Sequence, residues 1–155
     1  RKELASLAKA PNRYILFKYT DEDRDWAINE GGGTEIQFHI YLRDNEIGYG
    51  LGFNTQYVPF ANEKSGVEYM KPFAKSFLEI WNINKDLWKS EGFDFMDDDG
   101  KEKLINPKNG QYTLFGKAIT VKDSHIEDSE YQTLLSDVKG RLYEIYQNVL
   151  VYDNF

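Results

Sequence analysis

Tyr14, Phe17, Tyr19, Trp26, Tyr41, Tyr49 and Phe53 crowd the first third of the chain. Tyrosine and tryptophan on a sheet surface are flat stacking faces for a nucleobase or a sugar, and Arg13, Lys18, Lys108 and Lys117 carry the charge to hold phosphates around them. If these rings lie on strands they cannot all point inward, so some are expected to face a groove. Ordinary core packing with exposed hydroxyls is the competing reading for each ring. His39 and His125 are the only histidines, and cysteine is absent. A multi-histidine metal centre or a serine-histidine-aspartate triad would therefore depend on one of those two residues, while thiolate chemistry and disulfides are excluded. Gly31-Gly32-Gly33 lacks the G-x-G-x-x-G spacing and the following helix that cradle a phosphate, and reads as a turn. Asp97-Asp98-Asp99-Gly100 cannot be fitted to the alternating ligands of a calcium loop and reads as a solvated turn. No cofactor and no bound metal are expected.

Asp25, followed by Glu35-Ile36-Gln37, resembles the acidic metal site of many restriction nucleases. In those enzymes a strand bearing Glu-x-Lys sits beside an earlier aspartate, and magnesium activates water for phosphodiester cleavage. Gln37 stands here in place of the lysine. A metal-dependent nuclease using Asp25, Glu35 and Gln37 is accordingly one alternative function, and a protein-interaction module with a tyrosine-rich sheet is another.

The elements that must position these residues follow from length, charge and periodicity. The 155 residues suffice for one domain with a single core, and residues 1–155 read as such a domain, excised from a longer protein since the chain begins at Arg1. With 19 basic against 26 acidic residues the net charge is −7, which repels phosphate at long range and argues against broad, nonspecific nucleic-acid binding. No apolar run is long enough to cross a bilayer and no signal-peptide pattern is present, so a soluble, cytoplasmic protein without a membrane partner is expected.

Residues 2–9 are helix formers stopped by Pro11. Strands are predicted at Tyr14–Tyr19 and around Trp26–Ile28, then at 34–42, where Ile36, Phe38, Ile40 and Leu42 alternate with Glu35, Gln37, His39 and Tyr41. A turn at Arg43–Glu46 leads to Ile47–Phe53, where Gly48, Gly50 and Gly52 leave one face bare. Close packing by a helix is the simplest reason for that; a bend, a bulge, another backbone or a flat ligand are the others. The stripe Val67, Met70, Phe73, Phe77, Ile80 and Trp81 predicts a helix over 66–84 with Pro72 near its first turn. A short hairpin is predicted from Phe93–Met96 to Leu104–Ile105, a turn at Pro107–Gly110, and a strand over 111–121. The last helix is predicted from Ser129, with a capping box to Gln132, to about Leu150, on the apolar face Tyr131, Leu134, Leu135, Val138, Leu142, Ile145 and Val149. The fold class is therefore α+β: a mainly antiparallel twisted sheet packed by a central helix and a long C-terminal helix.

The order of elements carries a family resemblance. Trp26-Ala-Ile, then Ile36-Gln-Phe-His-Ile-Tyr-Leu-Arg-Asp44, the Gly-Tyr-Gly-Leu-Gly-Phe strand, a helix, Gly110-Gln-Tyr-Thr-Leu-Phe-Gly-Lys-Ala-Ile119 and the helix from Ser129 resemble, over about residues 14–150, the N-terminal DNA-recognition domain of McrB-type modification-dependent restriction systems. The resemblance implies a specificity domain of a defence system that binds double-stranded DNA carrying a methylcytosine and flips that base into an aromatic pocket. Catalysis would lie elsewhere, in fused or partner NTPase and nuclease domains. It also implies that Trp26 and Tyr19 are stacking walls and that Ile40 approaches the modified edge, with Tyr41 on the same strand. Where the family pattern has a pocket tyrosine this chain has Asn109, and Tyr112 is the nearest ring that could substitute.

Overall fold

A computed structural model describes residues 15–16, 36–43, 45–55 and 66–152. The predicted helix at 2–9, most of the first strand, the Trp26 strand and the triple-glycine turn lie outside the described residues.

The alternation read at 34–53 builds the centre of the sheet. Strands β2 (Gln37–Arg43) and β3 (Glu46–Asn54) form an antiparallel hairpin in the register Phe38↔Leu51 and Ile40↔Tyr49. The other edge of β3 pairs with β5 (Tyr112–Thr120), and the flanks are the two-residue strands β1 (Ile15–Leu16) and β4 (Asp94–Phe95), giving an antiparallel sheet in the order β1-β2-β3-β5-β4. Paired residues share a face, so Phe38, Ile40, Tyr49, Leu51, Phe53 and Phe115 lie together on one side and are buried there. Four helices among the described residues pack against that side. This is an α+β fold.

The central helix α1 spans Gly66–Ser90 and runs past Asn84. Asn84 bonds its amide to the Ile80 carbonyl within the helix, and the apolar stripe continues to Trp88, which is buried between Phe77 and Phe115. The helix stops where Gly92 takes φ +95, with Phe93 N–H donating to the Trp88 carbonyl and Gly92 N–H to the Lys89 carbonyl, a Schellman motif. Pro72 lies inside the helix rather than in its first turn, where it removes the amide that would have bonded the Glu68 carbonyl.

Residues 93–105 depart from the predicted hairpin. Asp94 and Phe95 pair with Gly116 and Phe115 of β5, while Gly100–Ile105 form a short helix, α2. The helix is favoured because Lys103 reaches back to both Asp97 and Asp99, each at 3.3 Å, and because the helical turn buries Leu104. No helix among the described residues is long and apolar enough to cross a membrane.

The C-terminal helix runs as α3 (Asp128–Asp137), a π turn (Val138–Leu142) and α4 (Tyr143–Tyr152). Its capping box lies two residues earlier than predicted, with Glu127 as the cap and Glu130 closing it. The π turn has a cause in the sequence. Leu134, Val138, Leu142 and Tyr146 are all buried and recur in steps of four, and each such step drifts about 40° round a 3.6-residue helix. The wider π turn takes up that drift and keeps the row against the sheet. Ser76 of α1 donates to the Val149 carbonyl of α4 at 2.8 Å, and Arg141 grips Glu91 at 2.9 Å, which fixes the two long helices to each other.

Candidate functional site

The glycines Gly48, Gly50 and Gly52 lie on the sheet face turned away from the four helices, together with His39, Tyr41, Tyr112, Leu114 and Gly116. None of the four described helices packs on this face. A Cβ on Gly48 would stand 2.0 Å from the Tyr41 ring, and one on Gly52 would stand 2.7 Å from the His39 ring. Both rings come from β2 and lie down across β3. At Gly50 the neighbour is backbone, since a Cβ there would sit 2.1 Å from the Phe115 carbonyl oxygen. Each absent side chain makes room for a particular group.

His39 and Tyr112 form the centre of this face. Their rings are stacked at 5.3 Å and 11°, and His39 Nδ1 is hydrogen-bonded to the Tyr112 hydroxyl at 2.9 Å, in a direction set by the imidazole tautomer. Burial pushes the His39 pKa down to about 4, so the ring is neutral at ordinary pH. Tyr41 is buried and its hydroxyl donates to Glu46. Tyr112 is only half-buried, which leaves it as the ring of the pair that a ligand could reach.

The turn before β5 is tied to the end of β3. Thr55 Oγ1 accepts the Gln111 amide at 2.9 Å, and the Gln111 side-chain oxygen accepts the Lys108 amide at 2.9 Å. Lys108 and Asn109 are thereby exposed at its tip, and Gly110 closes it at φ +74. Beside the turn is an open cleft of about 690 Å³ lined by Lys71, Asp99, Glu102, Lys103, Lys108 and Gln111. Lys103 connects the cleft to the stacked pair, because its ammonium donates to the Tyr112 carbonyl at 3.2 Å.

The structure brings some of the predicted site residues together and separates others. Tyr41 and Tyr112 share the glycine face, with Asn109 and Lys108 on the turn that leads into it. Ile40 does not join them: strand alternation turns it to the helix side, where it is buried in the core. Lys117 is not a free phosphate contact, since it lies on the helix side with its ammonium 3.0 Å from Asp137 and 4.3 Å from the Phe93 ring centre. Tyr49 donates to the same Asp137 carboxylate at 2.6 Å, and burial with that neighbouring charge raises its pKa. Tyr19, Trp26, Arg13 and Lys18, and the Asp25 and Glu35 of the nuclease alternative, lie outside the described residues; Gln37 opens β2. Among the described residues no group of three or more histidine, aspartate or glutamate side chains could hold a metal.

Sequence reasoning missed the His39–Tyr112 pair. The signal was available in the hairpin, whose short turn places His39 and Tyr41 opposite Gly50 and Gly48 and so lays rings over a glycine strand. No family model matches the chain, and neither a curated protein nor a solved structure is significantly similar to it.

Proposed function

We propose that this domain is a DNA-binding specificity module that reads a modified base, with Tyr112 as a stacking face. The observation that supports this reading is the stacked His39–Tyr112 pair on the glycine face, with the exposed Lys108–Asn109 tip beside it. A neutral, buried His39 holds the tyrosine ring in place before any ligand arrives, so little side-chain entropy is left to lose on stacking. A base taken out of the duplex forfeits a few kcal/mol of stacking and pairing, and an aromatic face returns about 1–3 kcal/mol of it. Trp26 and Tyr19 would complete the walls, as the resemblance to McrB-type recognition domains implies. Ile40, which lies across the sheet, drops out of the pocket. Cleavage belongs in this reading to fused or partner NTPase and nuclease domains of a restriction system.

The test is a titration with matched duplexes, unmodified and carrying methylated or hydroxymethylated cytosine. The parent chain should prefer one modified duplex, and Tyr112→Ala should weaken that complex by about 5- to 150-fold. Equal affinity of Tyr112→Ala and parent for the modified duplex overturns the reading.

A further inference from the structure

The cleft between the start of α1, α2 and the turn at 106–111 has a charge pattern unlike the rest of this acidic chain. Three lysines reach it from three separate segments: Lys71 from α1, Lys103 from α2 and Lys108 from the turn. Its acidic residues are already engaged. Asp99 is held by Lys103 at 3.3 Å, and Glu102 accepts the Asn106 amide at 2.8 Å. Lys103 is likewise committed, to Asp97, Asp99 and the Tyr112 carbonyl. Lys71 and Lys108 are exposed and have no acidic partner among the described residues. The cleft is thus lined by three lysines against two carboxylates, Asp99 and Glu102, and Lys71 and Lys108 are the lysines not held in an ion pair among the described residues, in a chain of net charge −7.

We infer that this cleft is a phosphodiester subsite, in which Lys71 and Lys108 hold backbone phosphates of the duplex whose base is offered to Tyr112. The inference rests on the DNA-recognition reading and deepens it. About 690 Å³ of open space accommodates a sugar-phosphate unit, and Lys103 joins the cleft wall to the strand that carries Tyr112, so phosphate held here fixes where a base can enter. Contacts of this kind set register without reading sequence. They also reconcile an acidic chain with a polyanionic ligand, because attraction is confined to one cleft and binding elsewhere is opposed.

The experiment measures duplex affinity across a salt series for the parent, Lys71→Ala, Lys108→Ala, the double variant and Lys139→Ala, which removes an exposed lysine on the π turn. Each cleft variant should reduce the slope of log K against log salt by about 1, and the double variant by about 2, while Lys139→Ala leaves it unchanged. The preference for the modified over the unmodified duplex should be the same in all of them. A parent that binds and discriminates, with the slope unchanged in the double variant, overturns the subsite and leaves the base-reading proposal standing. An equal fall in Lys139→Ala overturns it as well, since the effect would then be one of net charge. A parent that binds both duplexes equally, with the predicted slopes, supports the subsite and sinks the base reading. A parent that binds no duplex overturns both.

Discussion

Replacing Gly50 by alanine tests whether the glycine face is held by backbone contact. The added Cβ would lie 2.1 Å from the Phe115 carbonyl oxygen and 2.7 Å from Gly116 Cα, against about 3.3 Å for a close C···O contact. Neither neighbour is the end of a flexible side chain, so relief requires β3 and β5 to part by about 1 Å, which stretches the flanking ladder bonds past useful length. Two weakened bonds at about 1 kcal/mol each and an overpacking strain of about 1–3 kcal/mol stand against a gain of about 0.4–1 kcal/mol from a less flexible unfolded chain. The expected net loss is about 3 kcal/mol, or a Tm lower by about 6–12 °C for a chain of this length. Urea unfolding followed by circular dichroism gives the free energy, and a thermal scan gives Tm. Gly140→Ala is the control: that position is exposed and helical, with nothing within 4 Å of an added Cβ, so alanine should raise stability by about 0.5–1 kcal/mol. A loss below about 1 kcal/mol in Gly50→Ala would refute the close-approach argument.

Two further outcomes follow from buried polar groups. His39 has its pKa lowered from 6.5 to about 4, so the unfolded chain binds the proton more readily than the folded one; stability is complete above pH 6.5 and falls by about 1.4 kcal/mol per unit as pH drops towards 4. Urea midpoints at pH 7 and 5 should differ in the parent and much less in His39→Gln, and equal pH dependence in the two would refute the assignment. Thr113 buries its hydroxyl on the helix side without a hydrogen-bond partner among the described residues, so Thr113→Val should stabilise the fold by about 1 kcal/mol in the same urea assay. Destabilisation would mean instead that a water in the small recess beside Thr113 bonds the hydroxyl.

The strands that alternate strictly were legible because period-two patterning leaves few alternatives, and β2, β3 and β5 have ends within three residues of where alternation puts them. The helices were legible in kind and less so in extent. The apolar stripe read only to Trp81 bounds the helix at Asn84, but tertiary packing of Trp88 carries α1 onward. At residues 97–105 the acidic turn signal outweighed a short helix whose support, the Lys103 bridges, exists only after folding. The site was legible as a set of residue types and not as a surface. Lys117 looked like a free cation until the fold placed Asp137 against it, and Ile40 belonged to the wrong face by the very alternation that identified its strand. The resemblance supplied Tyr19 and Trp26, while the pairing of His39 with Tyr112 needed the three-strand register.

The π turn at Val138–Leu142 makes the orientation of α4 a matter of residue count. A helix with the same residues but ordinary winding there would rotate everything downstream by about 100° relative to α3. Tyr146 and Val149 would swing out of the core, and the Val149 carbonyl would leave Ser76. The two halves are thus phased like gears on one shaft. A substitution within the turn that restored ordinary winding would therefore disengage α4 from α1 without altering any residue of the interface itself, whereas a single deletion there leaves the buried row at steps of four, three and four and in phase with the core.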